Sequence, residues 1–413
     1  MKLYLRTFGC RANHYDTEMV RALAVRGGHE IVEDAAAADL AVVNSCAVTA
    51  EAERDARKAV RRLGGENPRL RTLVMGCSAA LPQSASVLRE LPTVQHVIAG
   101  ADRQAIATAL GVPLTDDVLP QSTVRAVLRI QDGCDEHCTF CATTIARGAN
   151  RSRSVESLVR EARALSEHHH EIVITGTHIG SYGRDGGSSL GALMERLLLA
   201  VPGARFRLSS LEATEVDDRL AELLAGSGGQ LAPHLHAPLQ SGSDRLLKRM
   251  GRHWYSASTY ARSVERLAAR LPVFALGADV IAAFPGETDA DHAATVALVE
   301  QLPFTYLHVF TYSPRPGTAA TRLPGHVPLA AAQARSHELR HLGQKKGKEY
   351  RAARAGTAAD LIVISSGADR EALSEDYLTV RVTASKPRGE RFTGRLSLEG
   401  DALACLDDEQ PRA

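Results

Sequence analysis

The chain predicts an α/β protein in three parts: an N-terminal parallel-sheet α/β domain over residues 1–112, a partial (β/α)6 barrel over 120–350, and a small C-terminal β-barrel over 353–413. Three observations carry that prediction. Short apolar runs alternate with amphipathic helical stretches through most of the chain, as they do where crossover helices join parallel strands. The alternation is interrupted once, by GVPLTDDVLPQST (111–123), which reads as a linker. Beyond residue 353 the helical pattern stops and closely spaced short strands take over.

In the first part, LYLRTF (3–8), DLAVVNS (39–45) and RTLVMG (71–76) read as strands, and DTEMVRALAVRGG and AEAERDARKAVRRLGG as helices stopped by glycine pairs. Each of the three strands is followed at once by a cysteine, Cys10, Cys46 and Cys77. Parallel strands end on one edge of their sheet, where α/β proteins place ligands, so these three thiols are expected to converge. In the second part, six strands are expected: AVLRI (126–130), EIVIT (171–175), RFRLSS (205–210), HLHAPL (234–239), VFALGADVI (273–281) and YLHVFTY (306–312). Six strand–helix repeats suggest a partial barrel with its chemistry at the C-terminal strand ends. The basic helix LAAAQARSHELRHLGQKKGKEYRAAR (329–354) leads out of it, and LIVIS, YLTVRVTAS, RFTGRLSLE and ALACL form the appendage. The run His168–His170 is read as a solvated helix end, and Cys405 as a buried thiol.

Composition sets the class. The chain has 413 residues, 44% of them apolar and 23% charged, with a net charge of +1 and seven cysteines. No run approaches the roughly 20 apolar residues of a membrane span, and MKLYLRTFGC lacks a signal-peptide core. A cytoplasmic protein is expected, whose clustered cysteines bind metal rather than form disulfides.

The sharpest signal is QDGCDEHCTFCATT (131–144), which holds Cys134, Cys138 and Cys141 in a C-x3-C-x2-C array. Structural zinc takes four ligands, and His137, the nearest fourth, is cramped between two of the cysteines. Three thiolates suit a four-iron cube with one iron open, which can chelate the amino and carboxylate groups of S-adenosylmethionine.

GCDEHCTFC, with Phe140 before its last cysteine, resembles the radical S-adenosylmethionine enzymes, and nearly the whole chain resembles their methylthiotransferases. TFGCRANHYDTE, VVNSCAVTAEAERDARK and VMGCSA fit that family at Cys10, Cys46 and Cys77; RGANRSRS, TGTHIGSYG, RLSSLE, HLHAPLQSGSDRLLKRMGR, DVIAAFPGETDAD and HVFTYSPRPGTAA are further family-like stretches. EALSEDYLTVRV resembles the family's RNA-binding TRAM barrel more weakly. The resemblance implies two [4Fe-4S] clusters, one S-adenosylmethionine-binding at Cys134, Cys138 and Cys141, the other at Cys10, Cys46 and Cys77. It implies that the first generates a 5′-deoxyadenosyl radical, while the second presents the sulfur that is methylated and transferred.

Gly176 suits close approach to the cofactor, Ser210 and Glu212 a bond to its ribose or amino group, and Arg147 and Arg252 a contact to cofactor or substrate. The plainer readings, a helix cap, a surface carboxylate and solvated arginines, stand beside these. Three positions depart from the family pattern: Thr144-Ile145 where Pro-Tyr is common, His178 in place of asparagine, and Ala283 in place of glycine.

GCRAN and CAVT resemble the subgroup acting on N6-threonylcarbamoyladenosine at tRNA position 37, with isopentenyladenosine in tRNA and a ribosomal-protein aspartate as the alternatives. Arg54, Arg57, Lys58, Arg61 and Arg62 on one helix, and Lys386, Arg388, Arg391 and Arg395 in the appendage, are candidate RNA phosphate contacts. A flavodoxin or ferredoxin is the expected low-potential electron donor; the sulfur donor is unassigned. A zinc-containing RNA-binding protein without turnover is the alternative from another class.

Overall fold

The computed structural model describes residues 1–114, 118–367, 370–382 and 386–406. The part of the linker at 115–117 therefore lies outside the described residues.

The N-terminal sheet contains β1 (Lys2–Thr7), β2 (Glu30–Val32), β3 (Leu40–Ser45), β4 (Arg71–Gly76) and β5 (Val94–Val97), in the order β2-β1-β3-β4-β5. All its pairings are parallel. β3 and β4 are buried almost throughout, as strands covered on both faces must be. The three expected strands are adjacent in the sheet. β2 and β5 are short edge strands that the apolar pattern does not reveal. The first helix starts at Arg11, five residues ahead of the expected DTEMV, with Cys10 at its N-cap. Its first turn is polar because Asn13 and Asp16 point inward and are fully buried.

The central sheet runs through β6 (Ala126–Asp132), β7 (Arg151–Ser152), β8 (Glu171–Gly176), β9 (Arg205–Leu208), β10 (His234–His236), β11 (Ala275–Ala282) and β12 (Phe304–Thr311). The six expected strands form two parallel sections, β6-β8-β9 and β10-β11-β12, joined by bridges between Phe206 and Leu231 and between Ser210 and His236. β7 adds a two-residue antiparallel edge to β6. The largest apolar core lies between this half-barrel and its helices.

The helix Leu329–Arg354 packs along β12 and leads to β13 (Ala358–Val363), β14 (Arg370–Ser374), β15 (Thr379–Val382), β16 (Arg391–Glu399) and β17 (Ala402–Leu406). These close into a barrel in the order β13-β14-β15-β17-β16, with Cys405 buried in its core. β14 was not expected as a separate strand.

One expectation is corrected here. His169 is buried rather than solvated: Nε2 accepts the Gln121 amide at 3.0 Å, while Nδ1 lies 3.2 Å from the Val124 carbonyl. It fastens the linker to the start of the half-barrel.

Candidate active site

The N-terminal cysteines stand at the C-terminal edge of β1, β3 and β4. Cys46 directly follows β3, Cys77 directly follows β4, and Cys10 caps the helix after β1. The edge is tied together by polar bonds. Asn13 Nδ2 donates to the carbonyls of Phe8 (2.8 Å) and Ser45 (2.9 Å), Asn44 Nδ2 to that of Asn13 (2.8 Å), and Ser78 Oγ to that of Cys46 (2.8 Å). Gly9 has φ +101°, and a Cβ there would stand 2.6 Å from Cys46 Sγ, so only glycine lets the Cys10 turn close over Cys46. Burial pushes the Cys46 thiol up to about 11 and raises Cys77, against the nearby Arg147.

The second cysteine set lies on the loop after β6. Gly133 opens it with φ +77°; a Cβ there would meet the Ala149 carbonyl at 1.8 Å. The loop is fastened by Cys134 N to Gly148 O (3.0 Å), Thr139 N to Met250 O (2.8 Å) and Thr139 Oγ1 to Arg249 O (3.1 Å). A Cβ at Gly251 would stand 2.8 Å from the His137 carbonyl oxygen, so the neighbouring segment passes close to the loop there. Cys134, Cys138, Phe140 and Cys141 then line a cavity of about 370 Å³ with Ser210, Glu212, Arg252 and Trp254.

Side chains around these thiols are polarised toward them. Arg252 Nη1 lies 3.3 Å from Cys138 Sγ, its Nε donates to Tyr255 Oη at 2.9 Å, and its Nη2 pairs with Glu212. Glu212 also accepts the Trp254 indole N–H. Glu212 is therefore buried and committed to Arg252, not a surface carboxylate. Burial drives Cys138 up to about 12, Arg252 opposing it. His178 Nδ1 stands 3.8 Å from Cys134 Sγ while Nε2 lies 3.0 Å from Glu215. Burial alone would lower this imidazole; its bonds to Cys134 and Glu215 raise it to about 10. Phe140 packs edge-on against Phe284, at 6.3 Å between ring centres.

A second cavity, of about 460 Å³, is lined by Cys10, Cys77, Arg147, Gly176, His236 and Tyr377 among others. Val48, Thr143, Thr177, Ser210 and Asp279 line both cavities, so the two adjoin. Arg147 is buried in the seam between the domains. It lies 3.3 Å from Cys77 Sγ and pairs with Asp16 (2.9 Å) and Asp132 (3.0 Å), facing the N-terminal cysteines rather than the Cys134 loop. The close approach that requires Gly176 is to the Gln131 backbone, where a Cβ would stand 2.8 Å from the carbonyl oxygen.

Several lining residues were not singled out from the sequence. Asp279 sits between His236 Nε2 (3.1 Å) and His308 Nδ1 (3.3 Å), which hold its carboxyl well below the usual range against the effect of burial. Tyr377 reaches in from the C-terminal barrel and stacks on His234 at 4.6 Å, beneath Arg11, Arg125 and Arg207. Arg315 and Tyr312 line the first cavity together with the Cys134 loop. All lie in stretches already noted as family-like, Tyr377 in the more weakly matching one, where the resemblance gave their neighbourhood and not their roles.

Of the appendage cations, Arg391 pairs with Asp360 (2.7 Å) and Lys386 with Glu390 (2.8 Å), while Arg388 is exposed. On the N-terminal helix Ala50–Glu66, Arg54, Lys58, Arg61 and Arg62 are exposed and Arg57 is half-buried.

Comparison with known proteins first gives the class. Residues 128–299 match the Radical SAM superfamily and residues 2–99 the Uncharacterized protein family UPF0004. The fold resembles that of a radical S-adenosylmethionine methyltransferase, TsrM, from Kitasatospora setae, with a TM-score of 0.58 at 13% identity over 77% of this chain and 76% of that one. The half-barrel thus has the fold of that structure and the sequence pattern of the Radical SAM superfamily, and a second family domain precedes it.

Two kinds of relative narrow this further. The chain is 36% identical over 365 residues, 84% of it and 83% of the relative, to a threonylcarbamoyladenosine tRNA methylthiotransferase MtaB of Thermotoga maritima. It is 35% identical over 367 residues (83% and 80%) to the same-named protein of Bacillus subtilis. It is also 36% identical over 394 residues (87% and 86%) to a tRNA-2-methylthio-N(6)-dimethylallyladenosine synthase of Acidithiobacillus ferrooxidans. The chain belongs to the radical S-adenosylmethionine methylthiotransferase family.

Proposed function

We propose that the protein is a cytoplasmic tRNA (N6-L-threonylcarbamoyladenosine-37-C2) methylthiotransferase, with domains 1–112, 120–350 and 353–413 serving sulfur supply, radical chemistry and RNA binding. The observation that carries this reading is the placement of two cysteine triads at the C-terminal edges of two parallel sheets, with Cys134, Cys138 and Cys141 lining one cavity, Cys10 and Cys77 an adjoining one, and Cys46 buried. Three soft donors at each place, without a fourth thiol, fit a four-iron cube with one open iron better than closed zinc. Cys134, Cys138 and Cys141 would hold the cluster that binds S-adenosylmethionine, and Cys10, Cys46 and Cys77 the second. When bound, these groups supply reductive C–S cleavage and the transferable sulfur.

The chain's own residues position and insulate. Arg252 and His178 direct N–H groups at Cys138 and Cys134, which favours the thiolate that a metal needs. Glu212 fixes Arg252, and Phe140 and Trp254 provide apolar wall that keeps water from the cavity. Ser210 lies at the strand end shared by both cavities. Arg147 bonds at once to Asp16 of the N-terminal domain and Asp132 of the half-barrel, so it holds the two triads at a fixed separation.

The relatives named for threonylcarbamoyladenosine, at 31–36% identity, support that base as substrate. The relative named for dimethylallyladenosine keeps isopentenyladenosine as the second reading. A flavodoxin- or ferredoxin-type protein would deliver the electron. Nucleoside mass spectrometry on tRNA from cells lacking the gene tests this. Selective loss of 2-methylthio-N6-threonylcarbamoyladenosine is expected. Loss of the 2-methylthio isopentenyl form alone would reassign the substrate, and unaltered tRNA would refute an RNA substrate.

A further inference from the structure

A guanidinium removed from water is held by an anion or it is costly. Seven arginines are buried among the described residues. Arg147, Arg205, Arg207, Arg252, Arg335 and Arg354 each pair with a carboxylate. Arg315, at 4% exposure, does not: neither Nη1 nor Nη2 has a hydrogen-bond partner. The hydroxyl of Tyr312, three residues earlier, is also buried without a partner. Both residues line the cavity that holds the Cys134 loop.

Their backbone is fixed by the surrounding chain. Tyr312 N donates to Ala282 O at 2.9 Å, the Tyr312 ring packs edge-on against Phe284 at 5.3 Å, and the Arg315 carbonyl accepts from Thr318 N (3.1 Å) and Oγ1 (2.8 Å). Val48 and Thr49, just beyond Cys46, line the same cavity. Arg315 thus shares the wall of this cavity with the Cys134 loop, with Arg252 and with Val48 and Thr49 of the N-terminal domain. The carboxylate of S-adenosylmethionine is not its natural partner, because the open iron beside Cys134, Cys138 and Cys141 would take that group.

We propose that Arg315 and Tyr312 form an oxyanion site for the substrate nucleotide, resting on the RNA substrate proposed above. A planar guanidinium binds carboxylate or phosphate bidentately, and a phenol adds one donor. The nucleotide offers both chemistries: a backbone phosphate, and the carboxylate of a threonylcarbamoyl group.

The test uses iron-loaded protein and two anticodon stem-loop RNAs, one carrying N6-threonylcarbamoyladenosine and one with plain adenosine, with affinity read by fluorescence anisotropy. Arg315→Gln is expected to weaken binding roughly 10- to 100-fold, the value of a charge-assisted hydrogen bond or a bidentate pair. A loss confined to the modified RNA identifies the carboxylate, and an equal loss for both identifies a phosphate. Tyr312→Phe, which removes only the hydroxyl and leaves the ring packing, should reproduce the same pattern more weakly. Unchanged affinity for both RNAs, or a loss of S-adenosylmethionine affinity instead, overturns the proposal. If the unaltered protein binds neither RNA, the RNA reading itself fails, which is a different result.

Discussion

Glu171 is the best place to test how the C-terminal barrel is held to the half-barrel. Its carboxylate is fully buried and accepts Arg205 Nε (2.7 Å), Arg207 Nε and Nη2 (both 2.9 Å) and Arg125 Nη1 (3.2 Å). The two buried arginines then reach across the domain boundary, to the carbonyls of Leu373 (3.3 Å), Ser374 (2.9 Å) and Glu375 (2.8 Å). Glu171→Gln keeps the shape and removes the charge. It leaves two guanidiniums at 0% side-chain exposure with only Asp360, itself 24% exposed, as a counter-ion. Breaking one side of a buried charge network costs about 3–5 kcal/mol. Native-state hydrogen exchange should locate that loss in β13–β15, with amide exchange there faster by about two to four orders of magnitude. Burial alone would raise the Glu171 carboxyl, but Arg207 and Arg205 outweigh it and hold it well below the usual range. The stabilisation is therefore complete above the unfolded value of about 4.3 and is lost as pH falls toward the depressed folded value. A loss under 1 kcal/mol, or one spread equally over β3 and β4, would refute the cluster as the barrel's anchor.

Replacing Cys134, Cys138 and Cys141 together by alanine should lower iron from roughly eight to roughly four atoms per chain, since each triad is assigned one four-iron cube; loss of all iron or of none contradicts the two-site assignment. Gly9→Ala should remove mainly the N-terminal share of iron and leave the other, because its Cβ meets Cys46 Sγ at a backbone of φ +101°; unchanged iron would show that the turn can open. Ala283 holds φ +60° with its N–H on Glu287 at 2.7 Å, so Ala283→Gly should stabilise the chain by about 0.5–1 kcal/mol in urea unfolding, strain relief outweighing glycine's entropy. Arg388→Gln should weaken RNA binding and flatten its salt dependence, whereas Arg391→Gln should mainly loosen β13 against β16 by releasing Asp360; the reverse pattern would mean that Arg391 reaches RNA.

The features legible in the sequence share a property: each is local. Buried strands such as β3 and β8 are continuous apolar runs, and a cysteine after a strand is a spacing that survives in one dimension. What escaped detection depends on partners far along the chain. The edge strands β2 and β5 carry few buried side chains, so no pattern marks them. The polar start of the helix Arg11–Arg26 is concealed because Asn13 and Asp16 are satisfied by β3, Arg129 and Arg147, as much as 134 residues away. His169 looked like part of a solvated histidine run, and only the returning linker gives it bonds. Arg315 is the extreme case. Its significance lies in partners it lacks, which no sequence displays.

The same contrast explains why the two cysteine sets need a third domain. A single loop can be closed locally, as Gly133 and the segment around Gly251 close the Cys134 loop. A group transferred between two sites requires their separation to be fixed from outside both. Arg147 does this on one side, spanning Asp16 and Asp132. On the other, Tyr377 enters the second cavity from the turn between β14 and β15, where Tyr350 and Arg354 both hold Asp376 at 2.7 Å and Arg11 reaches the Tyr377 hydroxyl at 2.9 Å. Arg11 adjoins Cys10, and Arg354 ends the helix that packs on β12. The C-terminal barrel therefore contributes Tyr377 to the wall of the second cavity and is tied there to both other domains.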